Sequence, residues 1–246
     1  MKKKLVVFSG SGLDYLKDNG EVNIATFRNS SEAYWKNYSI EDVCTLDGWR
    51  KDREKLLSFY NEMRSKLSDA ETNIAHRSFV DLNKKFDVVH ITQNVSDLLE
   101  RAGNENVYHL HGQLTQACDS LSNGNTDVTK RNIYNIGYNS INIGDKCAKN
   151  GSQLRPNVVF FNEYPFYFQE AYNFIMDADI IIVVGTSFSI SYTVDMLLKT
   201  KEDCSIYYVD PNPDMFLKDK IKKYITKNAT EGIPELINEL LKDEKE

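Results

Sequence analysis

Five short apolar runs, each closing on small or polar residues, constrain this chain more than anything else in it. Lys4–Ser9 (KLVVFS) ends on Gly10-Ser11-Gly12, and Asp87–Thr92 (DVVHIT) ends on Gln93-Asn94. Val107–His109 runs up to His111-Gly112, residues 179–184 (DIIIVV) end on Gly185-Thr186-Ser187, and Ser205–Val209 (SIYYV) ends on Asp210-Pro211. The fourth run is almost wholly apolar, as a strand covered on both faces must be. Helical spacing lies between them. Residues 54–66 carry Leu56, Leu57, Tyr60 and Met63, residues 76–85 carry Phe79, Val80 and Leu82, and the stretch from Pro234 carries Leu236, Ile237, Leu240 and Leu241. Strands alternating with helices predict an α/β fold with a doubly wound, parallel, Rossmann-like sheet.

Two stretches break the alternation. Residues from 29 to about 74 are helical and polar, with Trp35, Tyr38 and Trp49 as anchors; residues 113–153 are rich in Asn, Ser, Gly and Thr and too long for an ordinary loop. The expected organisation is a Rossmann-like domain of 1–29, 77–112 and 154–246, carrying a small inserted helical or irregular module of 30–76 and 113–153. A length of 246 residues suits one large domain with such an insertion. Net charge is 30 − 36 = −6, which argues against general affinity for nucleic acid. No apolar run approaches the roughly 18 residues of a membrane span, and the N-terminal strand is too short for a secretion signal. A cytoplasmic protein is expected. Cys44, Cys118, Cys147 and Cys204 form no C-x-x-C pair, so the pattern predicts reduced thiols and no metal.

Ligands of an open parallel sheet bind at the carboxyl ends of its strands. Gly10-Ser11-Gly12 is half of a dinucleotide fingerprint, with Tyr15 where the third glycine would stand; taken alone, a tight strand-to-helix turn explains it better than phosphate binding does. Gly185-Thr186-Ser187 offers backbone N–H groups and hydroxyls suited to a pyrophosphate, and Asp210 is placed to grip a ribose diol. Of the four histidines, His90 reads as structural and His76 as a helix cap after Asn73. His109 and His111 point to one face, but only His111 precedes a glycine at a strand end, which makes it the better base.

The ordered motifs resemble those of the sirtuin family. Thr92-Gln93-Asn94-Val95-Ser96-Asp97-Leu98-Leu99-Glu100-Arg101-Ala102-Gly103, followed by His109-Leu110-His111-Gly112, resembles the family core "TQNIDxLHERAG…LHG". Phe8-Ser9-Gly10-Ser11-Gly12 is similar to the first nucleotide loop, and Ala25-Thr26-Phe27-Arg28 to the "PTFR" that closes it. Residues 154–163 resemble "LRPxVVWFGE", Gly185-Thr186-Ser187-Phe188 resembles "GTSL", and Ala229-Thr230-Glu231-Gly232 resembles the turn that touches adenine. The lone Cys118 in the middle is similar to a bacterial branch that lacks zinc.

The resemblance implies an NAD-dependent protein lysine deacylase acting on an acylated lysine of a protein or peptide, releasing nicotinamide and O-acyl-ADP-ribose. It implies His111 as general base on the ribose hydroxyl, Asn94 as the residue that orients the ribose and water, and Gln93 as the holder of the ribose hydroxyls. Thr26, Phe27 and Arg28 would order the loop over the reacting carbon. Gly10, Ser11, Gly12, Gly185, Thr186, Ser187, Asp210 and Ala229 complete the implied NAD site, while Val159, Phe161, Asn162 and Glu163 would meet the peptide. Departures from the family pattern are specific. The Asp of "QNID" that holds the nicotinamide carboxamide is Ser96; the small residue after "GAGI" is Asp14; the glycine of "FGE" is Asn162. Relatives that remove acidic acyl groups carry Tyr-x-x-Arg; here Tyr60 is followed at that spacing by Met63, with Arg64 one place later. Tyr60 and Arg64 are nonetheless the acyl-binding candidates. A sirtuin-like NAD hydrolase or ADP-ribosyltransferase, and a catalytically weak NAD-binding protein, are the alternative readings.

Overall fold

The computed structural model describes residues 2–25, 38–120, 130–215 and 218–242. Its centre is a six-stranded parallel sheet in the order β3-β2-β1-β7-β8-β9. The strands are β1 (Lys4–Ser9), β2 (Asp87–Thr92), β3 (Val107–His109), β7 (Ile180–Val184), β8 (Ser205–Val209) and β9 (Ile221–Ile225). Period-two alternation divides their side chains between two buried faces. Leu5, Val7, Ile182, Val184 and Val209 face α4 (Ile74–Leu82) and α8 (Ala229–Lys242), where Phe79, Leu82, Ile233, Leu236 and Leu240 close the core. Val6, Phe8, Ile181, Val183 and Tyr208 face α6 (Phe168–Asp177) and α7 (Ser191–Leu198), which contribute Ala171, Ile175, Met196 and Leu197. Both faces are covered, so the central strands must be apolar throughout. The strand order reverses between β1 and β7, which opens a crevice at their carboxyl ends.

The second module packs α1 (Ile40–Val43), α2 (Leu46–Lys51) and α3 (Arg53–Asp69) against an antiparallel sheet of order β5-β4-β6. These strands are β5 (Ile133–Asn135), β4 (Gly112–Asp119) and β6 (Leu154–Val158). Leu56, Phe59, Tyr60, Leu114, Val158 and Phe160 share a core here with Leu98, from the short helix α5 (Leu98–Arg101). The sequence put the return to the Rossmann-like domain at residue 154. Leu154–Val158 instead pairs antiparallel with β4, so the parallel sheet resumes only at β7. Gly112 makes the departure from β3 possible. Its φ is +80°, and a Cβ there would sit 2.0 Å from the Asn157 carbonyl oxygen, so no other residue fits without moving β6.

Cys118 is buried in β4, with its thiol 3.7 Å from the Pro156 carbonyl oxygen, and the Cys147 sulfur lies 3.2 Å from the Tyr134 hydroxyl. Among the described residues no three His, Cys, Asp or Glu side chains are grouped as metal ligands. No helix among them is long and apolar enough to cross a membrane.

Candidate active site

The loops after β1 and β7 pack backbone to backbone. Gly12 N–H donates to the Gly185 carbonyl oxygen at 2.8 Å, and a Cβ on Gly12 would lie 2.6 Å from the Gly185 Cα. Glycine at both positions brings the two strand ends together as one floor, which is what the fingerprint glycines are for. A cavity of about 490 Å³ opens above it. Gly10 and Ser11 line it from β1, Gln93, Asn94 and Ser96 from the end of β2, His111 after β3, and Gly185, Thr186 and Ser187 after β7. Tyr60, Val159, Phe161, Asn162 and Glu163 line the side formed by the second module.

Hydrogen bonds fix the polar wall. Gln93 Nε2 donates to Thr186 Oγ1 at 2.9 Å, and Asn94 Nδ2 donates to the Gly10 carbonyl at 3.0 Å. His111 Nδ1 lies 2.9 Å from the Gln93 carbonyl oxygen. A carbonyl only accepts, so Nδ1 carries the proton and Nε2 keeps its lone pair. Burial pushes the His111 pKa down to about 4, with the Gln93 carbonyl pulling weakly the other way. The ring is therefore a neutral base at pH 7. His109 lines no part of the cavity; its ring is held by the Asn94 carbonyl at 2.8 Å and by Glu100 at 2.7 Å.

One partner of the base went unseen in the sequence. Tyr192, in α7, places its hydroxyl 2.8 Å from His111 Nε2, so it donates to the very lone pair a general base needs. The sequence offered no signal, because Tyr192 belongs to a helix that the spacing did not reveal. Removing this competing donor in Tyr192→Phe is expected to raise kcat/KM by about two- to tenfold, the worth of one net hydrogen bond. Steady-state kinetics would check it; a fall instead would make the hydroxyl a proton relay.

Several sequence candidates are placed otherwise. Arg64 is fully buried and does not line the cavity: Nε donates to the Leu114 carbonyl at 2.6 Å and Nη1 to Asn61 at 2.7 Å. One residue is about 100° of helix rotation, so it is Met63 that joins Tyr60 in the cavity wall. The Glu163 carboxylate accepts from Arg155 Nη2 at 2.8 and 2.9 Å and pairs with Arg131, so it is not free for a peptide. Asp210 sits at the end of β8 outside the cavity, its Oδ1 accepting from the Asn212 N–H at 2.8 Å. Ala229 opens α8 and is likewise outside it. Asn162 has φ +70°, a left-handed conformation that explains a glycine in the family motif and that Asn tolerates better than most residues. Thr26, Phe27 and Arg28 lie outside the described residues.

A parallel sheet that reverses its order at a glycine-packed crevice, with a neutral histidine at the rim, defines an open α/β protein that binds its ligand at the strand ends. The Sir2 family model matches residues 19–192. An NAD-dependent protein deacylase of Aggregatibacter actinomycetemcomitans is 37% identical over 87% of this chain and 96% of its own length. Its namesake from Bacteroides thetaiotaomicron is 34% identical over 95% and 96%. Among solved structures, a Sir2 homologue in complex with NAD superposes with a TM-score of 0.83 at 31% identity, over 98% of this chain and 90% of that one. The chain belongs to the Sir2 family.

Proposed function

We propose that this chain is an NAD-dependent protein lysine deacylase, and the observation that carries the reading is the neutral imidazole of His111, a residue of the cavity wall, with its proton on Nδ1 and its Nε2 unprotonated. NAD-dependent deacylation is the activity named for the curated relatives, and acylated lysine in a protein or peptide is the corresponding substrate.

The cavity lining suits the pyrophosphate and the ribose next to it. A Cβ at 10, 12 or 185 would strike the facing loop, at 2.8 Å from the Gly185 carbonyl oxygen, 2.6 Å from the Gly185 Cα and 2.5 Å from the Leu13 N respectively, so glycine at all three keeps the two strand-end loops together as a backbone floor that a pyrophosphate could approach. Gly10, Ser11, Gly185, Thr186 and Ser187 would hold NAD there, with Gln93 and Asn94 toward the ribose. Bound NAD supplies an electrophilic ribose carbon and a leaving nicotinamide. Once the Tyr192 hydroxyl turns away from it, His111 Nε2 would accept the proton of a ribose hydroxyl, while its Nδ1–H stays on the Gln93 carbonyl and keeps the ring oriented. Asn94, anchored on Gly10, orients that ribose. Phe59, Tyr60, Met63, Leu114 and Phe160 form an apolar wall that excludes water from the acyl group.

Mass spectrometry of NAD incubated with and without an acetyl-lysine peptide tests the proposal. O-acyl-ADP-ribose formed only with peptide supports it; free ADP-ribose without peptide would make the chain an NAD hydrolase, and intact NAD a binding protein. The proposal includes a cytoplasmic protein with a zinc-free second module. Its two buried thiols, Cys118 and Cys147, are engaged by a carbonyl and a tyrosine, and four ligands are needed for structural zinc. Metal analysis after dialysis should find far less than one zinc per chain.

A further inference from the structure

Asp14 is a carboxylate that the mechanism above does not use, yet it is 4% exposed and lines the same cavity as His111. A buried carboxylate is costly unless donors compensate it, and here two side chains do. Ser96 Oγ donates to Oδ2 at 2.6 Å, and His76 Nε2 lies 3.0 Å from Oδ1. The orientation of His76 is fixed from behind. Its Nδ1 accepts the Asn73 backbone N–H at 3.1 Å, so the proton is on Nε2 and points at Asp14. Asn73 is in turn pinned by donating to the Leu13 and Leu16 carbonyls. The backbone of Asp14 is also tied, through its N–H to Ser11 and its carbonyl to Ile24. Nothing in this arrangement is left to rotate.

A carboxylate has about four lone-pair directions, and Ser96 and His76 occupy one on each oxygen. The remainder, on a group that lines the cavity, are acceptors for a ligand. Of the parts of NAD, the phosphates are anionic and repelled by this charge, whereas the nicotinamide is a cationic ring bearing a carboxamide with two N–H donors. Asp97, the adjacent acid, is turned elsewhere: Oδ2 accepts from the Tyr138 hydroxyl at 2.6 Å, and it does not line the cavity. Resting on the proposed NAD reading, we propose that Asp14, held by Ser96 and His76, is the residue that binds the nicotinamide carboxamide in this chain. The carboxylate has changed places with its hydroxyl partner: the acid stands at 14 and the hydroxyl at 96.

The exchange makes the idea testable by reversal. Binding of NAD, nicotinamide and ADP-ribose is measured by calorimetry on the native chain and on Asp14→Asn, Ser96→Asp and the double exchange Asp14→Ser/Ser96→Asp. Thermal melts accompany each variant. Asp14→Asn should weaken NAD and nicotinamide by about tenfold or more, the usual effect of losing a charged acceptor, with ADP-ribose affinity within about twofold of native. Ser96→Asp alone sets two carboxylates against each other and should lower both the melting temperature and NAD affinity. The double exchange should recover most of both. Native-like NAD binding by Asp14→Asn, or parallel loss of NAD and ADP-ribose, would overturn the assignment while leaving the NAD reading standing. If Asp14→Asn fails to fold, no recovery in the double exchange would overturn it equally. A native chain that binds neither NAD nor ADP-ribose would remove the reading on which the assignment rests.

Discussion

His111→Ala is expected to lower turnover by about a hundred- to ten-thousandfold, the ordinary range for losing a general base, while NAD affinity changes by less than about threefold. The asymmetry follows from where the ring's bonds go. Nδ1 is spent on the Gln93 carbonyl and Nε2 on Tyr192, so the ring adds little to binding a ground-state dinucleotide. Losing an interaction realised only as the proton moves lowers kcat without raising KM. His109→Ala should behave differently, since that ring braces the Asn94 carbonyl and Glu100. Its loss should appear first in the melting temperature and only secondarily, through a loosened Asn94, in activity. Comparing kcat, NAD affinity and melting of the two variants separates a base from a brace. The pH profile gives an independent check. A base must be unprotonated, and burial holds the His111 pKa near 4. The acidic limb of kcat/KM should therefore fall well below the value of about 6.5 for an exposed histidine.

The sequence and the structure agree where the physics is local and periodic. The four central strands β2, β1, β7 and β8 were legible because burial on both faces leaves a largely apolar run, and the ends of β1 and β7 were legible because glycines there have a steric duty. β9 was not. Its sequence, IKKYI, lies at the sheet edge beside β8 and needs only partial burial, so two lysines are tolerated and the apolar signal disappears. The small antiparallel sheet was also hidden. β4 and β6 meet across a register shift between Gln113 and Ala117, and a bulge destroys alternation. Residue pairs far apart in sequence were harder still. Ser96 and Asp14 each looked like a defect, a lost charge in one place and an unwelcome one in another. Their 2.6 Å hydrogen bond, invisible in the sequence, joins the two departures in one place. Arg64 failed for the opposite reason: spacing brought it near Tyr60, but a single helical step turned it into the protein interior.

Glu163→Gln is expected to cost about 3–5 kcal/mol of stability, the usual result of leaving buried charges unpaired, against a total on the order of 5–15 kcal/mol for a folded protein. The carboxylate accepts from the Phe160 N–H at 2.7 Å as well as from Arg155, and pairs with Arg131 at 2.7 Å. All three charged side chains are no more than 3% exposed. An amide can still accept a hydrogen bond on its oxygen, but it cannot neutralise two guanidinium groups, and its own N–H₂ faces donors. The charge balance also sets the pH dependence. Burial pushes the Glu163 carboxyl up, but Arg155 and Arg131 pull it down further, so its pKa lies below the usual carboxylate range. A depressed acid contributes stability that is complete above the unfolded value of about 4.3 and is lost as pH falls through the folded value. The gap in unfolding free energy between native chain and variant should thus be largest near neutrality and shrink below about pH 4.3. Denaturant titrations at several pH values would measure it. A native-like melt with a raised peptide KM would instead return Glu163 to the role its motif implies, contact with the substrate peptide. The buried ion triad argues against that: the family's motif glutamate is here needed to hold β6 and the loop after it, and through them the floor on which Val159 and Phe161 stand.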